Sequence, residues 1–265
     1  MSVTFATSCY SDQQDPVSWG GFDIQECDEF RNFMSNEVSS RLHDEEGITS
    51  FEADLRGLAT TGFAHQSLSD ILNAAADEER DWAVGEAIAE VWLEEEHSVI
   101  WPWNTERDKK VASASLPGAD LVGFQPEGND VRLVLGEVKS SSQAATPPTV
   151  MSGRSGDMGH QIDNLANNLG LIYQLLFWLH SRCKNTPHWT NYQSAVSLYL
   201  NSGNKAVSLF GILIRDTSAN VLDLRARGRA LGTSLAAPTS CRLIALYLPC
   251  AIADLPNRVA EGGSV

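Results

Sequence analysis

Asp120, Glu137 and Lys139 combine side-chain types and spacing that suit the handling of a divalent cation and a phosphate. In an extended run over Val131–Lys139, residues 131, 133, 135, 137 and 139 share one face, while Arg132, Val134, Gly136 and Val138 share the other. The first face therefore changes abruptly from Val and Leu to Glu and Lys. Placing those charges at the end of an apolar face is costly unless they pair or bind something. On the preceding extended run Asp120, Val122 and Phe124 share a face, and hairpin pairing can bring the Asp120 carboxylate beside Glu137. Two such anions repel each other without a cation. Hard oxygen ligands of this kind suit Mg²⁺ or Mn²⁺, which leave positions open for phosphate oxygens. Lys139 points at the same place, where it can orient or help deprotonate an attacking water and neutralise a pentavalent transition state. Such an arrangement performs phosphodiester hydrolysis.

The elements that must position these residues are legible in the pattern. Residues Ala76–His97 read as a helix, with Trp82, Ala89 and Leu93 at helical spacing and no Pro. Glu86 lies on nearly the same face, a carboxylate within or beside an apolar stripe that can join the cluster. Val99–Trp103 reads as a short connection or strand. Ala119–Phe124 and Val131–Lys139 form a β-hairpin joined by the turn-forming Gln125–Asp130. Ser140–Met158, rich in Ser, Thr, Pro and Gly, reads as a loop leaving the charged end of the hairpin. Leu165, Leu169, Ile172, Leu176 and Leu179 predict one long helix over His160–Ser181, followed by β-like runs at Ala206–Arg215 and Arg242–Leu248. This order gives an α/β fold, a mixed β-sheet flanked by helices.

With 265 residues, 43% of them hydrophobic, the chain can fill a proper core. Its formal net charge of -15 opposes unaided binding to DNA, because phosphate contacts rely on Lys and Arg. Much of the acidic excess lies in residues 1–75, read as an acidic N-terminal region or small subdomain able to dock a partner, ahead of an α/β domain over 76–265. The five cysteines show no zinc or disulfide spacing and read as reduced thiols of a cytoplasmic protein. The N-terminus lacks a signal pattern, and the longest apolar run, Leu171–Leu179, is too short to span a bilayer, so no membrane association is expected.

Gly118-Ala119-Asp120-Leu121-Val122-Gly123 followed by Leu135-Gly136-Glu137-Val138-Lys139 resembles the PD-(D/E)xK, or restriction-endonuclease-like, superfamily. The likeness covers roughly Glu86 to His180. It implies a restriction-endonuclease-like sheet and a Mg²⁺- or Mn²⁺-dependent deoxyribonuclease. Asp120, Glu137 and a helix-borne Glu86 would be metal ligands, with Val138 as a further ligand and Lys139 assisting the nucleophilic water. Pro117 does not directly precede Asp120, a departure from the literal Pro-Asp pair. Some members place a Gln on the following helix, a role that would fall to Gln161. At a finer level the chain is similar to nuclease effectors of bacterial antiphage systems, the HamA family of the Hachiman system among them, which work with a helicase. The resemblance implies DNA as substrate and a helicase subunit that supplies DNA binding and regulation.

Blander readings stand beside these. Glu-x-Lys in a strand is commonly a cross-strand salt bridge, and Glu86 shares its helix with Glu90, Glu94, Glu95 and Glu96, as a solvated edge would. His97, His160 and His180 fit helix-end packing, Trp101 and Trp103 fit a core, and Arg225, Arg227 and Arg229 fit soluble surface. The rival to an enzyme is a catalytically inactive nuclease-fold module that binds a partner protein.

Overall fold

The computed structural model describes residues 3–73, 81–108, 118–151 and 155–260. A six-stranded mixed sheet organises the chain: β1 (Ala6–Gln14), β2 (Val17–Ile24), β3 (Leu121–Glu127), β4 (Asp130–Ser141), β5 (Val207–Arg215) and β6 (Ser240–Tyr247), in the order β1-β2-β6-β5-β4-β3. The pairs β2/β6, β6/β5 and β5/β4 are parallel, while the outer pairs β1/β2 and β4/β3 are antiparallel hairpins. β5 (VSLFGILIR) is buried at every residue, the mark of a strand covered on both faces.

Helices supply that cover. α1 (Asp28–Asn32) runs through a π-helical segment, Phe33–Val38, into α2 (Ser39–Leu42). Then come α3 (Glu45–Leu58), α4 (Gly62–Asn73), α5 (Asp81–His97), α6 (Thr105–Asp108), α7 (Met158–Asn167), α8 (Leu169–Cys183), α9 (Trp189–Asn201), α10 (Leu222–Ser234) and α11 (Leu255–Ala260). On one face Ile88 and Trp92 of α5, Phe33, and Val259 of α11 pack on Val134, Val138, Ile212 and Ile244. On the other, Ile162, Leu175, Leu179, Tyr199 and Leu231 pack on Leu133, Leu135, Leu209 and Leu243. Each fully buried side chain of this size contributes about 1.5–3 kcal/mol relative to exposure.

The hairpin is tighter than its turn-forming residues predict. The strands run on through Gln125, Pro126 and Glu127, and only Gly128-Asn129 turns, between the paired Glu127 and Asp130. Gly128 takes φ 62°, open to glycine, so a two-residue turn suffices.

Instead of one helix over His160–Ser181, α7 and α8 meet at Asn168. Its backbone leaves the helical region (φ -90°, ψ 92°), and its side chain caps α8 by accepting from the Leu171 amide. The capping bond replaces helix continuation. As a result the buried stripe of α8 is Ile172, Leu175, Leu179 and Cys183, while Leu169 is exposed.

β1 and β2 put the first part of the acidic N-terminal region into the same sheet as the rest of the chain, through β2/β6 pairing. Among the described residues α3 has no buried residue and α4 only Leu68. The boundary near residue 75, the start of the helix expected from Ala76 and Pro117 lie outside the described residues. Among the described residues no helix is long and apolar enough to cross a membrane.

One expectation about α5 changes, and the core reading of Trp101 and Trp103 holds. Glu90 is not on a solvated edge: it is 1% exposed and ion-pairs with Arg41, whose guanidinium lies over the rings of Trp101 and Trp103. Trp101 and Trp103 are buried, their indoles donating to the Glu90 and Val122 carbonyls at 3.1 and 3.0 Å.

Candidate active site

β3 is shorter than β4. Pairing runs from Glu127 opposite Asp130 to Leu121 opposite Gly136, so Glu137–Ser141 have no β3 strand residue beside them. Asp120 closes the gap. Its amide donates to the Gly136 carbonyl at 3.1 Å, and its Oδ2 accepts from the Val138 amide at 2.9 Å. A side-chain carboxylate thus does for β4 what another strand residue would. Successive residues alternate the side to which their amide and carbonyl point, so the Val138 carbonyl faces this same open edge.

Glu137 and Lys139 follow Leu133 and Leu135 on one face of β4, as the alternation requires. The Lys139 Nζ donates to Glu137 Oε1 at 2.5 Å, with side chains 23% and 4% exposed. The Asp120 carboxylate is near enough to Glu137 to act on its charge. Burial, then the Asp120 charge, pushes Glu137 up to about 7, against the opposing pull of Lys139.

A cleft of about 380 Å³ opens at this edge. Trp82 and Glu86 of α5 reach it from one side, and Asp120, Val138 and Lys139 from the other. Gly85 makes the approach possible, because a Cβ there would sit 2.8 Å from the Ser140 hydroxyl. Asp120, Val138, Lys139 and Glu86 therefore share one cleft, and the buried Glu137 is tied to it through Lys139. Gln161 lies on α7, half-buried, outside the residues that line the cleft. Among the described residues no group of three or more His, Cys, Asp or Glu side chains is gathered tightly enough to hold a metal ion. No protein-family model matches the chain, and no curated protein does.

The sequence reading missed the supports of the cleft. Arg215, fully buried at the end of β5, donates to the carbonyls of Ser141 and Ala145 at 3.0 and 3.2 Å. It lies 3.4 Å from Asp223, which also accepts from the Tyr247 hydroxyl at 3.0 Å. Asp216 holds the Ser142 hydroxyl at 2.7 Å and the Ile252 amide at 3.0 Å. Together they fix the chain where it leaves β4. The available signal was an arginine ending an otherwise apolar strand.

The arginine run divides: Arg227 is committed to Asp163 at 2.8 Å and to the Gly159 carbonyl, tying α10 to α7. His97, packed against Phe210 and 2.7 Å from Arg242, is pushed down to about 4 by burial first and by Arg242 second, so it is neutral.

Proposed function

We propose that the chain is a metal-dependent DNA endonuclease of the PD-(D/E)xK type, the effector subunit of a prokaryotic antiphage complex held in check by a helicase partner. The observation that carries this reading is a cleft at an unpaired strand edge lined by Asp120, Lys139 and Glu86, with Lys139 on the buried Glu137. The donor set fits Mg²⁺ or Mn²⁺: two carboxylates, the Val138 carbonyl on the same edge, and Glu86 across the cleft. The raised Glu137 carboxyl marks where positive charge is wanted. When bound, the cation would supply charge to the phosphate oxygens as the transition state forms.

The chain's own residues do the rest. Asp120 and Glu137 would hold the cation, and the Val138 amide fixes the Asp120 carboxylate. Lys139, at the same end of β4, would orient the attacking water and offset charge on phosphorus oxygens. The net charge of -15 favours a partner that supplies grip on DNA, as the resemblance to Hachiman effectors implies.

A second reading, a nuclease-fold module that binds a partner without catalysis, draws on the direct Glu137–Lys139 pair and the lack of a three-ligand group among the described residues. Two measurements separate them: cleavage of linear, nicked and supercoiled DNA with Mg²⁺ or Mn²⁺, and calorimetric Mn²⁺ binding, each beside Glu137→Ala/Lys139→Ala. Cutting and binding lost in the variant support the nuclease. Absence of both in the wild-type chain supports the module.

A further inference from the structure

α3 and α4 form a helical pair that buries almost nothing. α3 has no buried residue and α4 only Leu68. Their large apolar side chains face water: Phe51 is 57% exposed, Leu58 77%, Phe63 85% and Ile71 64%. An amphipathic helix that belongs to a core turns such residues inward, and exposed apolar patches on otherwise polar chains mark interaction sites.

The pattern on α3 identifies what fits. At 3.6 residues per turn Ile48, Phe51, Leu55 and Leu58 fall within an arc of about 80°, a continuous ridge. Glu45 and Glu52 border the ridge on one side and Asp54 on the other. Over residues 45–73 the charges are Glu45, Glu46, Glu52, Asp54 and Asp70 against Arg56 alone, and Arg56 is engaged by Glu52 at 2.6 Å. An apolar ridge with carboxylate rails opposes a second copy of itself, DNA and anionic lipid, all of which bring like charge. It complements a protein surface that carries an apolar stripe between Lys and Arg.

We propose that α3–α4 is a docking surface for a basic, amphipathic helical element of a partner protein, whatever chemistry the cleft performs. The apolar ridge supplies the buried area, and the acidic rails set partner choice and rate of encounter.

The test uses the full chain and a synthetic amphipathic helix of Leu and Lys, beside a Leu/Glu peptide of the same pattern, with binding read by fluorescence anisotropy. Phe51→Ser/Phe63→Ser, both at exposed positions, leaves the circular dichroism unchanged. The Leu/Lys peptide is expected to bind, the Leu/Glu peptide not, and the variant to weaken binding by on the order of tenfold or more. Tyr173→Ser/Phe177→Ser, removing exposed apolar side chains of α8, should leave the affinity in place. Binding that the α3–α4 variant does not weaken, or that the α8 variant weakens equally, overturns the proposal. So does a concentration-dependent dimer, or adsorption to phosphatidylserine vesicles, that Phe51→Ser/Phe63→Ser abolishes.

Discussion

The Val138 amide donates to the Asp120 carboxylate at 2.9 Å, so the residue that enters the cleft as a charge also finishes the edge of β4. The two roles separate by substitution. Asp120→Asn keeps an acceptor for the Val138 amide and should leave unfolding free energy within about 0.5 kcal/mol, whereas Asp120→Ala should lose about 1–2 kcal/mol. Urea denaturation in chelator reads the structural part. Mn²⁺ titration reads the other, and both variants should lose it.

Glu137 makes stability depend on pH. Its folded value near 7 lies above the ordinary 4.5, so the folded state holds the proton more tightly than the unfolded chain. That contribution is fully present below 4.5 and is lost as pH rises through 7, amounting to at most about 3 kcal/mol. Metal-free wild type should therefore lose stability over this window relative to Glu137→Gln, measured by urea unfolding at several pH values. Equal slopes for the two proteins would assign the titration elsewhere.

In the proposed metal site the same proton would compete with a cation. Mn²⁺ affinity should rise as pH increases toward 7 and flatten above it, with proton release seen when calorimetry is repeated in buffers of different ionisation enthalpy. Affinity that does not change with pH would mean that Glu137 is not a ligand.

Arg215 and Asp223 are an ion pair with both side chains fully buried. Removing one partner strands the other, so Arg215→Met or Asp223→Leu alone should cost about 3–5 kcal/mol, and the double variant considerably less. Arg215→Met also frees the carbonyls of Ser141 and Ala145, and amide exchange should speed up there first.

Asn168 ends α7 and caps α8 with one side chain. Asn168→Ala should cost about 1 kcal/mol, and Asn168→Ser much less, by thermal unfolding. A more stable alanine variant would mean that the long helix predicted from the apolar spacing is within reach.

Local pattern by itself determined the hairpin, the α5 helix, the core strands and the trio Asp120, Glu137 and Lys139, because period-2 alternation and turn residues are properties of neighbours in the chain. It also gave Glu86 its face on α5. Only the tertiary structure decided that Asp120 substitutes for a missing strand residue, because the length of β3 relative to β4 is a matter of register. The same holds for β2, whose place beside β6 depends on pairing between segments more than 200 residues apart. The burial of Glu90 and Arg215 was hidden for a related reason: a charged residue reads as surface until its partner, Arg41 or Asp223, is brought to it from a distant segment. Asn168 shows the limit even of local reading, since apolar spacing continued across it while a capping bond, worth little by itself, settled where one helix stopped.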